Sequence, residues 1–106
     1  MASAEGDDTD IFAFYAEPPL VAVNLFHLRR GRIVDRREMF WEDVQNFEPA
    51  EFFQQVLIQV YLNQPHIPGH IHVPIEFEDR DILEELLTER RGRKCNIYTP
   101  QRGEKK

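Results

Sequence analysis

Several features are scarce in this 106-residue sequence, and each scarcity excludes a class of protein. There is one cysteine, Cys95, so an intramolecular disulfide is excluded. No apolar run approaches the roughly 20 residues that a membrane-spanning helix needs. The first residues, Met1 to Asp10, are small and acidic, unlike the basic and apolar regions of a signal peptide. These features predict a cytoplasmic protein that does not enter a membrane.

The composition predicts a single folded domain with short polar ends. The chain is 42% hydrophobic and 30% charged, which suffices for one hydrophobic core. Residues 1–9 contain acidic side chains and no apolar anchor, so we expect a disordered acidic tail. Residues 10–100 hold the apolar segments and form the predicted domain, and residues 101–106 form a basic polar tail.

Positive charge is absent from the first 28 residues and is then concentrated in two stretches. The formal net charge is −6, which by itself argues against binding to nucleic acid. However, every Lys or Arg except Arg80 falls in residues 29–37 or residues 90–106. Charge that is segregated in this way produces local fields that the net value hides.

The periodicity of the apolar residues predicts the order of the secondary-structure elements. Strands are expected at 11–15, 20–28, 33–41, 70–75 and 94–99, with a helix opening at Pro49 and a second one between Asp79 and Gly92. The unbroken apolar run at 11–15 is typical of a strand buried on both faces. The charged third strand suits a sheet edge.

This order, β-β-β-α-β-α-β, predicts an α+β fold with a mixed sheet. Three strands with short connections form an antiparallel meander, and strands that alternate with helices run parallel through right-handed crossovers. That is the element order of the ribonuclease H-like fold. A ribonucleoprotein-type sheet would read β-α-β-β-α-β, so its base-stacking aromatics are not expected here.

Several segments in the same order resemble the UvrC family of bacterial excinucleases. They are Asp10-Ile-Phe-Ala-Phe-Tyr15, residues 20–34, His72-Val-Pro74, the Leu-rich helix ending in Arg90-Arg-Gly-Arg93, and Thr99-Pro-Gln-Arg-Gly103. The resemblance implies a middle domain between the UvrB-binding segment and the C-terminal endonuclease domain. In that family the catalytic carboxylates lie beyond the end of this chain, so no catalytic residue is carried over.

The residues also argue against a nuclease site within the chain. A two-metal nuclease needs several converging carboxylates, and a ribonuclease H-like site takes one from the middle of its first strand. Here that strand reads Ile-Phe-Ala-Phe-Tyr and offers none. Glu51, Glu76, Glu78 and Asp79 could be remnants, although Glu78 and Asp79 also suit a helix N-terminus. We therefore predict a catalytically degenerate scaffold without metal or cofactor.

Two further patterns have ordinary structural interpretations. His66, His70 and His72 have a spacing that could suggest a metal site, but a structural zinc site usually includes several cysteines. A loop that runs into a strand with two histidines on one face is the simpler interpretation. Cys95 has basic neighbours that could lower its pKa, but no histidine lies nearby in the sequence, so a half-buried strand cysteine is expected.

If the fold is correct, the two basic stretches meet at one end of the sheet. We call this set of residues the basic end: Arg29, Arg30, Arg32, Arg90, Arg91, Arg93 and Lys94. Guanidinium groups pair with phosphate or with carboxylate, so three interpretations stay open. The basic end could contact the DNA backbone, dock against an acidic neighbouring domain or protein, or consist of solvated turns.

The sequence thus predicts a non-catalytic structural and interaction domain of a UvrC-type protein in nucleotide excision repair. Its expected partners are the neighbouring nuclease domains of the same parent chain, with damaged double-stranded DNA and the excinuclease component UvrB as further candidates. The alternatives are an autonomous metal-dependent nuclease and a pure protein-docking module.

Overall fold

Alternating apolar residues build a five-stranded sheet, on which two amphipathic helices pack. The structure is a computed structural model that describes residues 8–100. The strands are β1 (Asp8–Glu17), β2 (Leu20–Arg29), β3 (Arg32–Trp41), β4 (His70–His72) and β5 (Asn96–Tyr98), and the helices are α1 (Pro49–Leu62) and α2 (Arg80–Arg91). This is the predicted β-β-β-α-β-α-β order.

The sheet has the strand order β3-β2-β1-β4-β5 and is mixed. β1 pairs with β2, and β2 with β3, in antiparallel fashion. β4 runs parallel to both β1 and β5. The predicted meander, the parallel later strands and the position of β3 at an edge are therefore all confirmed.

The strand boundaries differ from the predicted ones at several points. β1 begins at Asp8, two residues before the predicted domain boundary, because Asp8 and Thr9 pair with Arg29 and Leu28 of the long strand β2. Backbone pairing continues there although the side chains are polar. β4 and β5 are shorter than expected, with three residues each. The predicted tails at 1–7 and 101–106 lie outside the described residues.

The hydrophobic core lies between the sheet and the two helices, on one face only. Phe12 of β1 and Leu25 of β2 are buried beneath Phe53 and Leu57 of α1, and Leu83 of α2 belongs to the same core. β1 is thus buried on one face, and the prediction of a strand buried on both faces was wrong. Tyr15 on the opposite face is 64% exposed, and no described helix covers that face. We call it the open face.

Turns and helix ends follow the local chemistry of the chain. Arg30 and Gly31, between β2 and β3, both have positive φ, as a tight hairpin turn requires. Pro49 occupies the first turn of α1, which tolerates a missing N–H. Gly92 ends α2 in the left-handed conformation and its N–H donates to the Thr88 carbonyl.

The outer edge of β5 is closed by side chains of α2. The Ile97 N–H donates to Glu84 Oε2 over 2.8 Å, and Arg80 Nη1 donates to the Ile97 carbonyl over 3.0 Å. One turn on, the Thr88 hydroxyl bonds both backbone groups of Cys95. Arg80, Glu84 and Thr88 are spaced four residues apart and therefore lie on one face of α2. They satisfy backbone groups of the β5 segment that an adjacent strand would otherwise bind.

Candidate functional site

The seven residues of the basic end lie at the same end of the sheet. Arg29 at the end of β2 is opposite Asp8 at the start of β1. On the other side of β1, Thr9 is in register with His70, which is in register with Asn96 at the start of β5. The β2–β3 turn and the α2–β5 connection are thus three strand spacings apart, about 14 Å. The predicted placement of the basic end is confirmed by this register.

Two of the seven residues of the basic end, Arg29 and Arg91, make contacts that stabilise the fold. Arg91 Nε donates to the Ile67 carbonyl over 2.9 Å and Arg91 Nη1 donates to the Lys94 carbonyl over 2.8 Å. Arg29 Nε lies 2.9 Å from Asp8 Oδ1, and the other oxygen of Asp8 lies 2.6 Å from His66 Nε2. Arg91 therefore fastens the loop before β4, and Asp8 offsets part of the charge of Arg29.

The other members are more accessible to a partner. Arg30, Arg32, Arg90 and Arg93 are exposed, and Lys94 is exposed with only a long 4.0 Å contact to Glu84 Oε1. Arg93 and Lys94 also line a shallow cavity of about 240 Å³, together with Gly69, His70, Arg91 and Asn96. These side chains form a cationic rim that an anion can reach without unfolding any element.

A buried carboxylate lies just inside this end, and the sequence interpretation had missed it. Asp10 falls within β1, so the expectation of a first strand without carboxylates was wrong. Asp10 is only 3% exposed. Its two oxygens lie 2.8 Å from His27 Nδ1 and 2.5 Å from the Tyr61 hydroxyl. Burial, followed by the charge of Asp10, raises the pKa of Tyr61 well above its ordinary value, so Tyr61 stays protonated and donates.

The remaining carboxylates of interest lie at the opposite end of the domain, as predicted. A groove of about 510 Å³ separates the start of α1 from the residues before α2, and Glu48, Glu51, Glu78 and Asp79 line it. Asp79 occupies the N-cap position of α2, but its side chain makes no cap hydrogen bond. It instead accepts from Gln54 Nε2 over 3.0 Å. The predicted capping role is therefore replaced by a bond that ties the two helices together.

These carboxylates do not converge with other ligands. Within residues 8–100 no three His, Cys, Asp or Glu side chains are grouped as a metal ion would require. Asp10 lies at the other end of the domain and is already bonded to two protein groups. The acidic groove therefore offers scattered charges and not an assembled pair of metal positions.

Two histidines stack with a tyrosine on the open face. His70 and His72 both point to this face, as the alternation predicted, and Tyr98 lies beside them. The Tyr98 ring centroid is 4.6 Å from that of His72 and 5.7 Å from that of His70, both in stacked orientation. Burial, and then the charge of His70, lowers the pKa of His72, which favours its neutral form.

Cys95 lies just before β5 and is fully buried, more deeply than the expected half-buried strand cysteine. Burial raises the pKa of its thiol to about 11, and the nearby cations Arg91 and Lys94 offset this only in part. The basic neighbours do act to lower the pKa, but desolvation outweighs their charge.

The comparison with known protein families shows to which family the chain belongs. The model of the family described as "UvrC Ribonuclease H-like domain" matches residues 8–106. The chain belongs to this family. It is also 62% identical over 106 residues to the UvrABC system protein C of Solibacter usitatus, and 47% identical over 112 residues to that of Koribacter versatilis. Both alignments include the whole chain.

This UvrC-family chain spans 17% and 18% of the lengths of those two relatives. Among solved structures, the chain is similar to a Ciona intestinalis endonuclease V in complex with a 24mer DNA. The match covers 70% of this chain and 36% of the endonuclease chain, with 13% identity and a TM-score of 0.47. The predicted resemblance and the predicted ribonuclease H-like class are confirmed by the family match. No helix in the described part of the chain is long and apolar enough to cross a membrane.

Proposed function

We propose that this UvrC-family domain is a non-catalytic structural and interaction module in nucleotide excision repair, and that its basic end contacts the DNA backbone. The observation that carries the proposal is that the residues of the basic end, which come from two separate parts of the chain, lie at one end of the sheet. In a chain with a net charge of −6, this end is the part that attracts a polyanion. Phosphate contacts position a protein on DNA without reading its sequence.

The spacing of the cationic side chains suits a DNA backbone. The turn that carries Arg30 and Arg32 is about 14 Å from the connection that carries Arg93 and Lys94. The major groove of B-DNA is about 12 Å wide, so phosphates on its two sides lie within reach of both groups of long side chains. Arg29 and Arg91 have structural partners and supply positive potential more than direct contacts.

The disposition of the carboxylates supports a non-catalytic role. Asp10 is buried and bonded to His27 and Tyr61, and a catalytic carboxylate would need access to metal and substrate. Asp79 is bonded to Gln54 on the neighbouring helix. In this proposal, incision by the parent protein is performed by its other domains, and this domain helps to keep those domains and the DNA in register. The excinuclease component UvrB is a further candidate partner.

The test is a titration of a labelled, bubble-containing DNA duplex with the chain, followed by fluorescence anisotropy at 50 and 200 mM salt. Contacts to three or four phosphates would weaken binding roughly 40- to 150-fold between these salt concentrations. The double variant Arg30→Gln with Arg32→Gln should bind more weakly and show a smaller salt slope. Arg37→Gln, an exposed arginine in the middle of β3, is the matched control and should leave binding unchanged.

The two alternatives give different results in the same experiment. No DNA binding at 50 mM salt would refute the backbone contact and favour a pure protein-docking module. Cleavage of the duplex on addition of Mg²⁺ or Mn²⁺, abolished by Glu51→Gln, would instead favour an autonomous nuclease at the acidic groove and refute the non-catalytic role.

A further inference from the structure

The open face of the sheet carries a line of rings and apolar side chains that the fold does not use. Cross-strand neighbours project to the same face of a sheet, so the register defines a row across all five strands: Tyr98, His72, Ile11, Phe26 and Arg36. Four strand spacings make this row about 19 Å long. We call these five residues the aromatic row.

The row is rigid at the end formed by β4 and β5. Tyr98 is stacked on His72 with an interplanar angle of 26°, and its hydroxyl lies 2.9 Å from His70 Nδ1. Tyr98 is nevertheless 40% exposed. A ring that is fixed by its neighbours and still exposes one side loses little conformational entropy when a flat ligand stacks on it.

The aromatic row also adjoins the basic end. His70 and Asn96, which line the cavity beside Arg93 and Lys94, precede His72 and Tyr98 by two residues in their strands. Two residues along a strand correspond to about 7 Å. At the far end of the row, Arg36 adds a further exposed cation. The distance from the aromatic row to the surface proposed to hold phosphates is therefore about the length of one nucleotide.

We propose that the open face binds an unpaired DNA strand by stacking bases on the aromatic row while the basic end holds its phosphates. Sheet aromatics in other proteins stack two or three bases, although the element order there is different. Stacking on aromatic rings tolerates any base, so this binding would not depend on the DNA sequence. The inference rests on the proposed DNA contact of the basic end and extends it to the face of the sheet.

The unpaired strand is the better ligand for this face. The bases of a duplex are paired and stacked on one another, so their faces are not free to stack on protein rings.

The experiment compares three labelled ligands by fluorescence anisotropy at 50 mM salt: a 12-residue oligothymidylate, a 12-residue abasic strand of the same charge, and a 12-base-pair duplex. We expect oligothymidylate to bind at least about fivefold more tightly than the abasic strand. Tyr98→Leu, which keeps apolar bulk but removes the flat ring, should abolish this difference. Tyr98→Phe should preserve it, and so should Ile82→Ala, which removes an exposed apolar side chain of α2.

The outcomes separate this inference from the function on which it rests. Equal binding of oligothymidylate and the abasic strand, unaffected by Tyr98→Leu, would overturn the stacking surface and leave the backbone contact intact. No binding of any ligand would overturn both. Self-association of the chain that Tyr98→Leu abolishes, without base-dependent binding, would assign the open face to a protein partner and also overturn the inference.

Discussion

Replacement of Asp10 by asparagine tests whether this buried carboxylate stabilises the fold or is retained for chemistry. Asp10 is 3% exposed and accepts from Tyr61, with His27 as its second partner. Asparagine keeps the size of the side chain but has one acceptor oxygen, so Tyr61 and His27 no longer each have a carboxylate oxygen to bond. Hydrogen bonds to charged groups contribute about 1.5–3 kcal/mol each. Together with the lost charge, we expect Asp10→Asn to lower the free energy of unfolding by about 2–4 kcal/mol.

The measurement is urea unfolding of the wild type, Asp10→Asn, Tyr61→Phe and the double variant. Tyr61→Phe should cost about 1–3 kcal/mol, because it leaves Asp10 with a single partner. The two changes should be coupled by about 0.5–3 kcal/mol, since both remove the same bond. In a domain of this size the single change at Asp10 corresponds to a fall in Tm of roughly 10–25 °C.

Asp8→Asn is the matched control on the same strand. Asp8 pairs with Arg29 and His66, whose side chains are 59% and 57% exposed, so its ion pairs should contribute less than about 1 kcal/mol. Asp10 would not be a stabilising residue if the Asp10→Asn variant were as stable as the wild type, or more stable. Such a result is typical of a carboxylate that is kept for function at a cost in stability.

Three further results are expected. Cys95 should react with thiol reagents far more slowly in the native chain than in urea at pH 8. The chain should lose stability as the pH rises from 9 towards 11, because the thiol ionises more readily in the unfolded chain, and this loss should be smaller in Cys95→Ala, in which buried Tyr61 still contributes near the upper end of the range. Glu84→Ala should lower the free energy of unfolding by about 1–3 kcal/mol in urea unfolding, because it leaves the Ile97 N–H without its acceptor; an unchanged value would mean that water replaces the carboxylate. Gly92→Ala should cost about 1 kcal/mol by the same assay, because its φ of 81° strains any residue with a Cβ.

The order and type of the elements could be predicted because each has its own local signal. The helical spacing of apolar residues in α1, the turn at Gly31 and the stop at Gly92 all depend on neighbours within a few residues. The shared end of the basic stretches followed from that order. Strand pairing then placed Arg29 and Asn96 at the same end of the sheet.

The predictions that were wrong or missing concern properties that depend on distant parts of the chain. The apolar run of β1 does not reveal which face is covered, because coverage is set by where α1 and α2 pack. Asp10 is separated by 51 residues from Tyr61, its partner, so nothing local marks it as buried. The same holds for the stack of Tyr98 on His72, which only the pairing of β4 with β5 brings together.

Mapping where DNA binds on the chain tests the proposed contact of the basic end most directly. In a backbone-amide NMR titration with a bubble-containing duplex, we expect shift changes at the turn from Arg29 to Arg32 and at Arg93 and Lys94. These changes should weaken as salt is raised from about 50 to about 200 mM. Changes confined to the acidic groove around Glu51 and Asp79, or no changes at the lower salt concentration, would contradict the claim that the basic end contacts DNA.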